Sequence, residues 1–162
     1  MTAKNLRYTQ TLNQFARLVP PLGDESRPIS QQNLLFWVAA EKTPPTPSKV
    51  AEAMGISKAA VTKMLTPLIA DQLLAKEMDT ADNRSFTLSL TAKGQEELIA
   101  LTPTYQAPME TVRDGLGKKR FKQLIKLLAK ANILLNQAHP NGAGPIDVDC
   151  DDEEEDDEDD DM

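Results

Sequence analysis

Residues 46–74 read TPSKVAEAMGISKAAVTKMLTPLIADQLL. Thr46 is a favoured N-cap residue and Pro47 suits the first position of a helix, so the sequence predicts a helix beginning here. Gly55 has no Cβ and can adopt the left-handed turn that ends this helix. Ser57 is a second N-cap residue, and the apolar residues after it predict another helix. Two helices joined by a short turn that contains glycine are typical of a helix-turn-helix.

A β-hairpin is predicted directly after these two helices. Residues 73–78 (LLAKEM) and 85–90 (SFTLSL) alternate in the manner of two short strands. Residues 79–84 (DTADNR), between them, are rich in turn-forming residues. A helix-turn-helix followed by a hairpin, or wing, predicts a mainly α fold with a small β element, which is an α+β class.

Further helices are predicted on both sides of this unit. Upstream, apolar residues at helical spacing predict one helix over 4–19 and another over 30–42. Downstream, a long helix follows the hairpin, and we expect Pro103 and Pro108 to break or kink it. A last helix over 118–138 has an apolar side so wide that it requires a partner for burial.

Charge is distributed unevenly along the chain. The net charge is −7, but residues 147–162 hold 13 of the 25 acidic residues and no basic residue. Residues 1–146 therefore carry 12 acidic and 18 basic residues, a net charge of +6. A basic body indicates a polyanionic partner such as nucleic acid. The acidic tail that begins at residue 139 has a composition that predicts disorder.

The residue content argues against an enzyme, a cofactor protein and a membrane protein. One histidine and one cysteine cannot supply a nucleophile, a base and an orienting group, and there is no glycine-rich phosphate loop. We expect no metal or other cofactor, because the single Cys150 cannot form a zinc site. Without a long apolar run or a secretory leader, the expected location is the cytoplasm.

The hairpin and its exit carry a specific motif. Residues 79–94, DTADNRSFTLSLTAKG, have the pattern Asp, two residues, Asp, one residue, Arg, a strand, and then Leu-Thr-x-x-Gly. This pattern resembles the wing of the MarR family of transcription factors, and the resemblance extends over residues 5–138. The matching residues are Asp79, Asp82, Arg84, Leu90, Thr91 and Gly94. One departure is Ala81, where the family often has a second arginine, so this wing carries less positive charge.

The resemblance implies a domain organisation and an activity. It implies an N-terminal dimerisation helix and loop over 1–29, a winged helix-turn-helix DNA-binding domain over 30–94, and C-terminal dimerisation helices over 95–138. The acidic tail, residues 139–162, follows. Such a protein is a sequence-specific regulator of transcription, here expected to be a repressor that binds palindromic operators as a homodimer. The implied partners are double-stranded DNA, a second copy of the chain and a small-molecule effector that releases the DNA.

The second helix of the helix-turn-helix would present its first turns to the major groove. The candidate contacts on this surface are Ser57, Lys58, Ala59, Thr62 and Lys63. Lysine can contact guanine acceptors or phosphates, hydroxyl groups can bond to either, and alanine can touch a thymine methyl group. Elsewhere in a sequence these lysines would be ordinary solvated residues, but the helix-turn-helix favours contact with DNA.

The wing supplies two more candidates. Arg84 would enter the minor groove, where the negative potential favours arginine. Asp82, two residues earlier, can brace the guanidinium with a charged hydrogen bond. The alternative is an exposed ion pair that contributes little.

Two aromatic residues, Phe36 and Trp37, have two interpretations. The family has a ligand pocket between its dimerisation and winged domains, and the resemblance implies that these side chains could line it. Core packing is the simpler interpretation and the one that we favour.

The acidic tail leaves two hypotheses open. The first is a protein-interaction module in which the winged fold is a scaffold and the tail binds a basic partner, since fold alone does not fix function. The second keeps DNA binding. The tail then acts as an internal polyanion that reaches the DNA-reading surface or the lysines of the last helix, and suppresses non-specific binding. A purely solubilising tail is the alternative to this role.

Overall fold

The computed structural model describes residues 3–20, 27–78 and 85–138. In order, the elements of this part of the chain are α1 (Ala3–Leu18), α2 (Ile29–Ala40), α3 (Pro47–Met54), α4 (Lys58–Ala70), β1 (Leu74–Met78), β2 (Phe86–Leu90), α5 (Ala92–Leu116) and α6 (Lys118–Ala138). The mainly helical architecture with one hairpin confirms the predicted fold class. No helix among the described residues combines the length and apolar character needed to cross a membrane.

The helix-turn-helix has the predicted cap residues, with Thr46 and Ser57 at the beginning of its two helices and Gly55 at the end of the first. The Thr46 hydroxyl accepts a hydrogen bond from the backbone N–H of Lys49 at 3.3 Å, and the Ser57 hydroxyl accepts one from Ala60 at 3.2 Å. Gly55 adopts a left-handed φ of 65° after α3. These bonds satisfy backbone donors that the first turn of a helix leaves free. The local chemistry of the sequence therefore fixes the position of both helices.

One apolar core joins α2, α3, α4 and the hairpin. Val61, Leu65 and Leu68 lie on one side of α4 because they are spaced by three or four residues, and all three are buried. Burying a side chain of this size contributes about 1.5–3 kcal/mol relative to leaving it exposed. The buried cluster comprises Leu34, Leu35, Val38, Val50, Ala51, Val61, Leu65, Leu68, Leu73, Leu74 and Leu88.

The two strands form an antiparallel hairpin in which Leu74 lies opposite Leu90. The backbone N–H of Leu88 also donates to the carbonyl of Pro45 at 2.9 Å, so the segment before α3 lies along the free edge of β2. Pro45 is fully buried there. The connecting residues 79–84 lie outside the described part of the chain.

The first turn of α5 lies directly against the chain that joins α4 to β1. The Thr91 hydroxyl accepts a hydrogen bond from the N–H of Gly94 at 2.9 Å and donates to the carbonyl of Gln72, which has a left-handed φ of 61°. The backbone N–H of Thr91 donates to the carbonyl of Leu73 at 3.1 Å. A Cβ on Gly94 would lie 2.0 Å from that same carbonyl oxygen. The Thr-x-x-Gly part of the wing motif therefore permits a close contact between backbones.

Pro103 and Pro108 do not break α5, which is continuous from Ala92 to Leu116. The expected break is wrong because each proline removes only one backbone donor and intact turns lie on both sides of it, whereas the alternative of a kink stays a prediction. The hydroxyl of Thr102, next to the first proline, donates to the carbonyl of Leu98 at 2.7 Å. Packing of α5 against α2 and α6 further supports the helix.

Arg27 connects three helices through its guanidinium. Its side chain is largely buried, with 14% of its surface exposed. Its Nη1 lies 2.9 Å from Oδ2 of Asp71, the residue that ends α4, and 3.2 Å from Oε1 of Gln31 in α2. Its Nε lies 3.3 Å from Oε1 of Glu97 in α5. The backbone carbonyl of Arg27 accepts a bond from Gln32 Nε2 at 2.8 Å. This side chain thus ties α4 to α5 at a second point.

Replacing Gly94 with alanine should destabilise the protein, because the new methyl group would overlap the Leu73 carbonyl. We expect the free energy of unfolding to fall by about 1–3 kcal/mol, as for other overpacked sites. Gly115→Ala is the matched control in the same helix, since no atom lies within 4 Å of a Cβ at that position. That control should stabilise by roughly 0.5–1 kcal/mol. Urea unfolding checks both, and equal effects of the two substitutions would contradict the close contact.

Arg27→Met should lower the free energy of unfolding by about 1–3 kcal/mol, because charged hydrogen bonds to three helices are lost. Arg113→Met is the control, because Arg113 forms a surface ion pair with Asp114. The two side chains are 48% and 73% exposed. An exposed pair of this kind contributes about 0–1 kcal/mol. Thermal unfolding of both variants measures the difference. A smaller loss for Arg27→Met than for the control would refute the connecting role.

Candidate nucleic-acid interface

The α4 helix has one buried side and one exposed side. Its buried side faces the core, and the five residues selected from the sequence all lie on the exposed surface at its beginning. At 100° per residue, Ala59 and Lys63 fall opposite Val61, Leu65 and Leu68, and Thr62 lies to one side of them, whereas Lys58 is exposed at the first position of the helix. The structure thus brings together Ser57, Lys58, Ala59, Thr62 and Lys63.

The hydroxyl groups on this surface differ in what they can still bond. Thr62 Oγ1 donates to the carbonyl of Lys58 at 3.0 Å, so its oxygen remains available only as an acceptor. Ser57 Oγ instead accepts from Ala60, which leaves its proton free to donate. In this conformation Thr62 suits a base amino group, and Ser57 suits a phosphate or a base acceptor.

The beginning of α4 is also electrically positive. The Ser57 cap takes the N–H of Ala60, so the backbone N–H groups of Lys58 and Ala59 remain available to an anion. Lys58 and Lys63 are exposed and form no ion pair with the described residues. Free amides, the helix dipole and two unpaired ammonium groups together favour a phosphate.

The wing candidates Asp82 and Arg84 lie outside the described residues, as does Asp79. The strands that lead to them are described. Their last pair places Met78 opposite Phe86, and Lys76 Nζ lies 4.6 Å from the centroid of the Phe86 ring. The predicted roles of the two wing residues therefore stay predictions.

Phe36 and Trp37 are half-buried and are not members of the buried core, contrary to the simpler interpretation. The core residues of α2 are instead Leu34, Leu35 and Val38, on the other side of the helix. Phe36 stacks on Tyr105 of α5, with ring centroids 3.7 Å apart and planes inclined by 12°. Burial raises the pKa of the Tyr105 phenol above its ordinary value, because desolvation disfavours the phenolate.

Sequence reasoning missed Thr66 on this surface and Arg27 at the opposite end of α4. Thr66 is exposed one turn beyond Thr62 on the same side of α4, and its hydroxyl donates to the Thr62 carbonyl at 3.0 Å. The helical spacing could have revealed it. Arg27 holds the end of α4 through Asp71, but no local pattern indicates that contact.

Comparison with known proteins gives a consistent result. Residues 29–86 match the MarR family. Among curated proteins, the chain is 23% identical over 83 residues to the HTH-type transcriptional repressor YetL of Bacillus subtilis. That match spans 51% of this chain and half the length of YetL.

Two solved structures share the fold. AbsC, a MarR family transcriptional regulator from Streptomyces coelicolor, has a TM-score of 0.70 at 20% identity, covering 85% of this chain and 97% of AbsC. The MepR–DNA complex from Staphylococcus aureus has a TM-score of 0.59 at 19% identity, covering 81% of this chain and 96% of MepR. With the helix-turn-helix and hairpin described above, these findings show that residues 29–86 resemble the MarR family and that the chain has the same fold as these solved structures.

Proposed function

We propose that the protein is a transcriptional repressor that binds double-stranded DNA sequence-specifically, as a homodimer on palindromic operators. The observation that carries this proposal is the exposed surface at the beginning of α4, where Lys58, Ala59 and Lys63 stand clear of the core. A recognition helix inserts this end into the major groove. The name of the relative YetL, a repressor, supports repression rather than activation.

Charge supports a polyanionic partner for the body of the protein. Residues 1–146 carry a net charge of +6, although the whole chain carries −7. Lysines that neutralise phosphates release condensed counterions, so binding weakens as salt rises. Lys58 and Lys63 supply two such contacts in the proposed complex, and the α4 amides supply a third through the helix dipole.

The wing is proposed to extend the contact into the minor groove. Arg84 would enter the narrow groove and Asp82 would brace its guanidinium. The support is the motif in the sequence and the paired strands β1 and β2 on either side of it. Ala81 removes one positive charge that the family often has here, so Arg84 would carry most of the wing's interaction.

A homodimer is proposed from the apolar side chains that α1 and α6 leave uncovered. In the single chain these are between 43% and 70% exposed: Leu6, Tyr8, Leu12, Leu18, Leu127, Ile133, Leu134 and Leu135. Exposed apolar surface of this extent typically marks an interface. Two-fold symmetry of the dimer would match the two halves of a palindrome.

A small-molecule effector is proposed to bind where α2 meets α5. The stacked Phe36 and Tyr105 rings join a helix of the winged domain to the long helix that follows it. A flat ligand that replaces one ring in this stack would change the contact between the two helices. Such a ligand could alter DNA affinity if it favours one arrangement over the other.

The acidic tail, outside the described residues, is proposed to lower affinity for random DNA. Its 13 carboxylates compete with phosphates for the basic body. Because it is covalently attached, its effective concentration is on the order of millimolar. The tail would lower the affinity for specific operators less, because base contacts add to the affinity for those sites.

DNA binding can be tested by fluorescence anisotropy against a randomised duplex pool across a salt series, with sequencing of the retained DNA. We expect palindromes with half-sites about one helical turn apart. Arg84→Ala should weaken binding by about 1–3 kcal/mol, and each of Lys58→Ala and Lys63→Ala should reduce the salt slope by about 1.

Lys118→Ala is the matched control for these variants. Lys118 is the first residue of α6. The helix α5 extends about 37 Å from its start beside the hairpin before α6 begins, so Lys118 lies far from α4. It should leave the affinity unchanged. If neither the full chain nor a form ending at Gly144 binds DNA at low salt, the proposed function is wrong.

The dimer can be tested by multi-angle light scattering. The expected mass is twice the 17.8 kDa of one chain. Leu134→Glu should produce monomers, because Leu134 is 59% exposed in one chain and a buried unpaired charge is costly at an interface. Met78→Glu is the control, since Met78 is 55% exposed on the hairpin and should leave the mass unchanged. A stable monomer of the unaltered chain would rule out the dimer.

A further inference from the structure

The α6 helix carries an exposed line of four lysines, Lys119, Lys122, Lys126 and Lys130, which we name the lysine stripe. The helix contains no acidic residue. None of the four lysines forms an ion pair with the described part of the chain. Four like charges on one surface repel one another, so a polyanion placed there would be attracted by all of them.

The stripe points away from the rest of the fold. Phe121, Leu124 and Leu128 of α6 are half-buried, and the main neighbour of α6 is α5. At 100° per residue the lysines lie nearly opposite these apolar side chains. The stripe extends over 12 residues, or about 16 Å along the helix. In the single chain it therefore offers a straight, exposed and positively charged surface.

The chain itself supplies a matching polyanion. Residues 147–161 contain 13 carboxylates and no basic residue. Only the eight residues 139–146 separate this segment from the end of α6, and their sequence, HPNGAGPI, is rich in proline and glycine. Nine residues can span up to about 30 Å, whereas Lys130 lies about 12 Å from Ala138 along the helix. The first carboxylates can therefore reach the stripe.

We propose that the acidic segment 147–161 binds the lysine stripe of α6. The recognition helix is the competing location, but its exposed surface presents only Lys58 and Lys63. Four regularly spaced ammonium groups attract a run of carboxylates more strongly than two do. The stripe is also adjacent to the tail in the chain, which gives it the higher effective concentration.

This location explains how a tail could suppress non-specific binding without blocking the recognition helix. An uncovered stripe attracts any duplex, because phosphate contacts do not depend on sequence. With the tail bound, the stripe is neutralised and the α4 surface stays accessible. The docking itself does not depend on DNA binding, so it can be tested without DNA.

Cys150 lies within the acidic segment and is the single cysteine of the chain, so a thiol-reactive fluorophore labels this segment in the full-length protein. We expect high anisotropy of the label at about 0.01 M salt and low anisotropy at about 1 M, where the screening length falls to about 3 Å. Substituting all four stripe lysines with glutamine should remove most of this salt-dependent change. Glutamine has nearly the helix propensity of lysine, so α6 should remain intact.

The matched control replaces Lys4, Lys58, Lys63 and Lys76 with glutamine, which changes the net charge by the same amount. It should keep the salt-dependent anisotropy. Loss of the signal in the control but not in the stripe variant would move the docking site to the recognition surface and overturn the proposal. An unaltered chain whose label shows no salt dependence would overturn it as well.

Carbodiimide cross-linking of the unaltered protein provides an independent measurement, because it joins carboxylates directly to nearby lysine amines. Mass spectrometry should find links between residues 147–161 and the stripe at low salt, and their loss at high salt. Links mainly to Lys58 and Lys63, or none at low salt, would contradict the proposal. Either result leaves the DNA-binding proposal standing, since no DNA is present.

Discussion

The contact between the first turn of α5 and the Leu73 carbonyl determines how the winged domain joins the rest of the protein. Gly94 allows the approach because it has no Cβ, and Thr91 satisfies the carbonyls of Gln72 and Leu73 as well as an N–H of α5. Buried backbone groups must be paired, so this arrangement has few alternatives. The end of α4, the start of β1 and the start of α5 meet here. Arg27 also holds the end of α4 next to α5, through its ion pairs with Asp71 and Glu97.

The α4 helix has to serve the core and the proposed DNA contact at once, and its periodicity separates the two tasks. Val61 and Leu65 are held in the core, which turns Ala59, Thr62 and Lys63 outward. A side chain on the exposed side makes few contacts with the fold. The surface that would select a DNA sequence can therefore change with little effect on stability, while the buried side preserves the orientation of the helix.

Local signals explain most of what the sequence could predict. Gly55 and Ser57 act on neighbouring backbone groups, so the helix-turn-helix and the exposed set at the start of α4 follow from residue type and spacing. The exceptions depend on contacts between distant residues. The partners of Arg27 in α4 and α5 lie 44 and 70 residues away, and no spacing rule connects them. Likewise, Phe36 finds its stacking partner in α5. The continuity of α5 through Pro103 depends on packing around the helix, which a rule about proline alone ignores.

The unbroken course of α5 makes it a lever arm between the hairpin and α6. One end is fixed beside the hairpin at Gly94, and the other reaches α6 about 37 Å away. A tilt of about ten degrees at the fixed end displaces the far end by roughly 6 Å over that length. Any bend at Pro103 or Pro108 would absorb part of this rotation. Over its length, a continuous helix converts a small angular change next to the wing into a larger displacement at the opposite end, and the reverse holds as well.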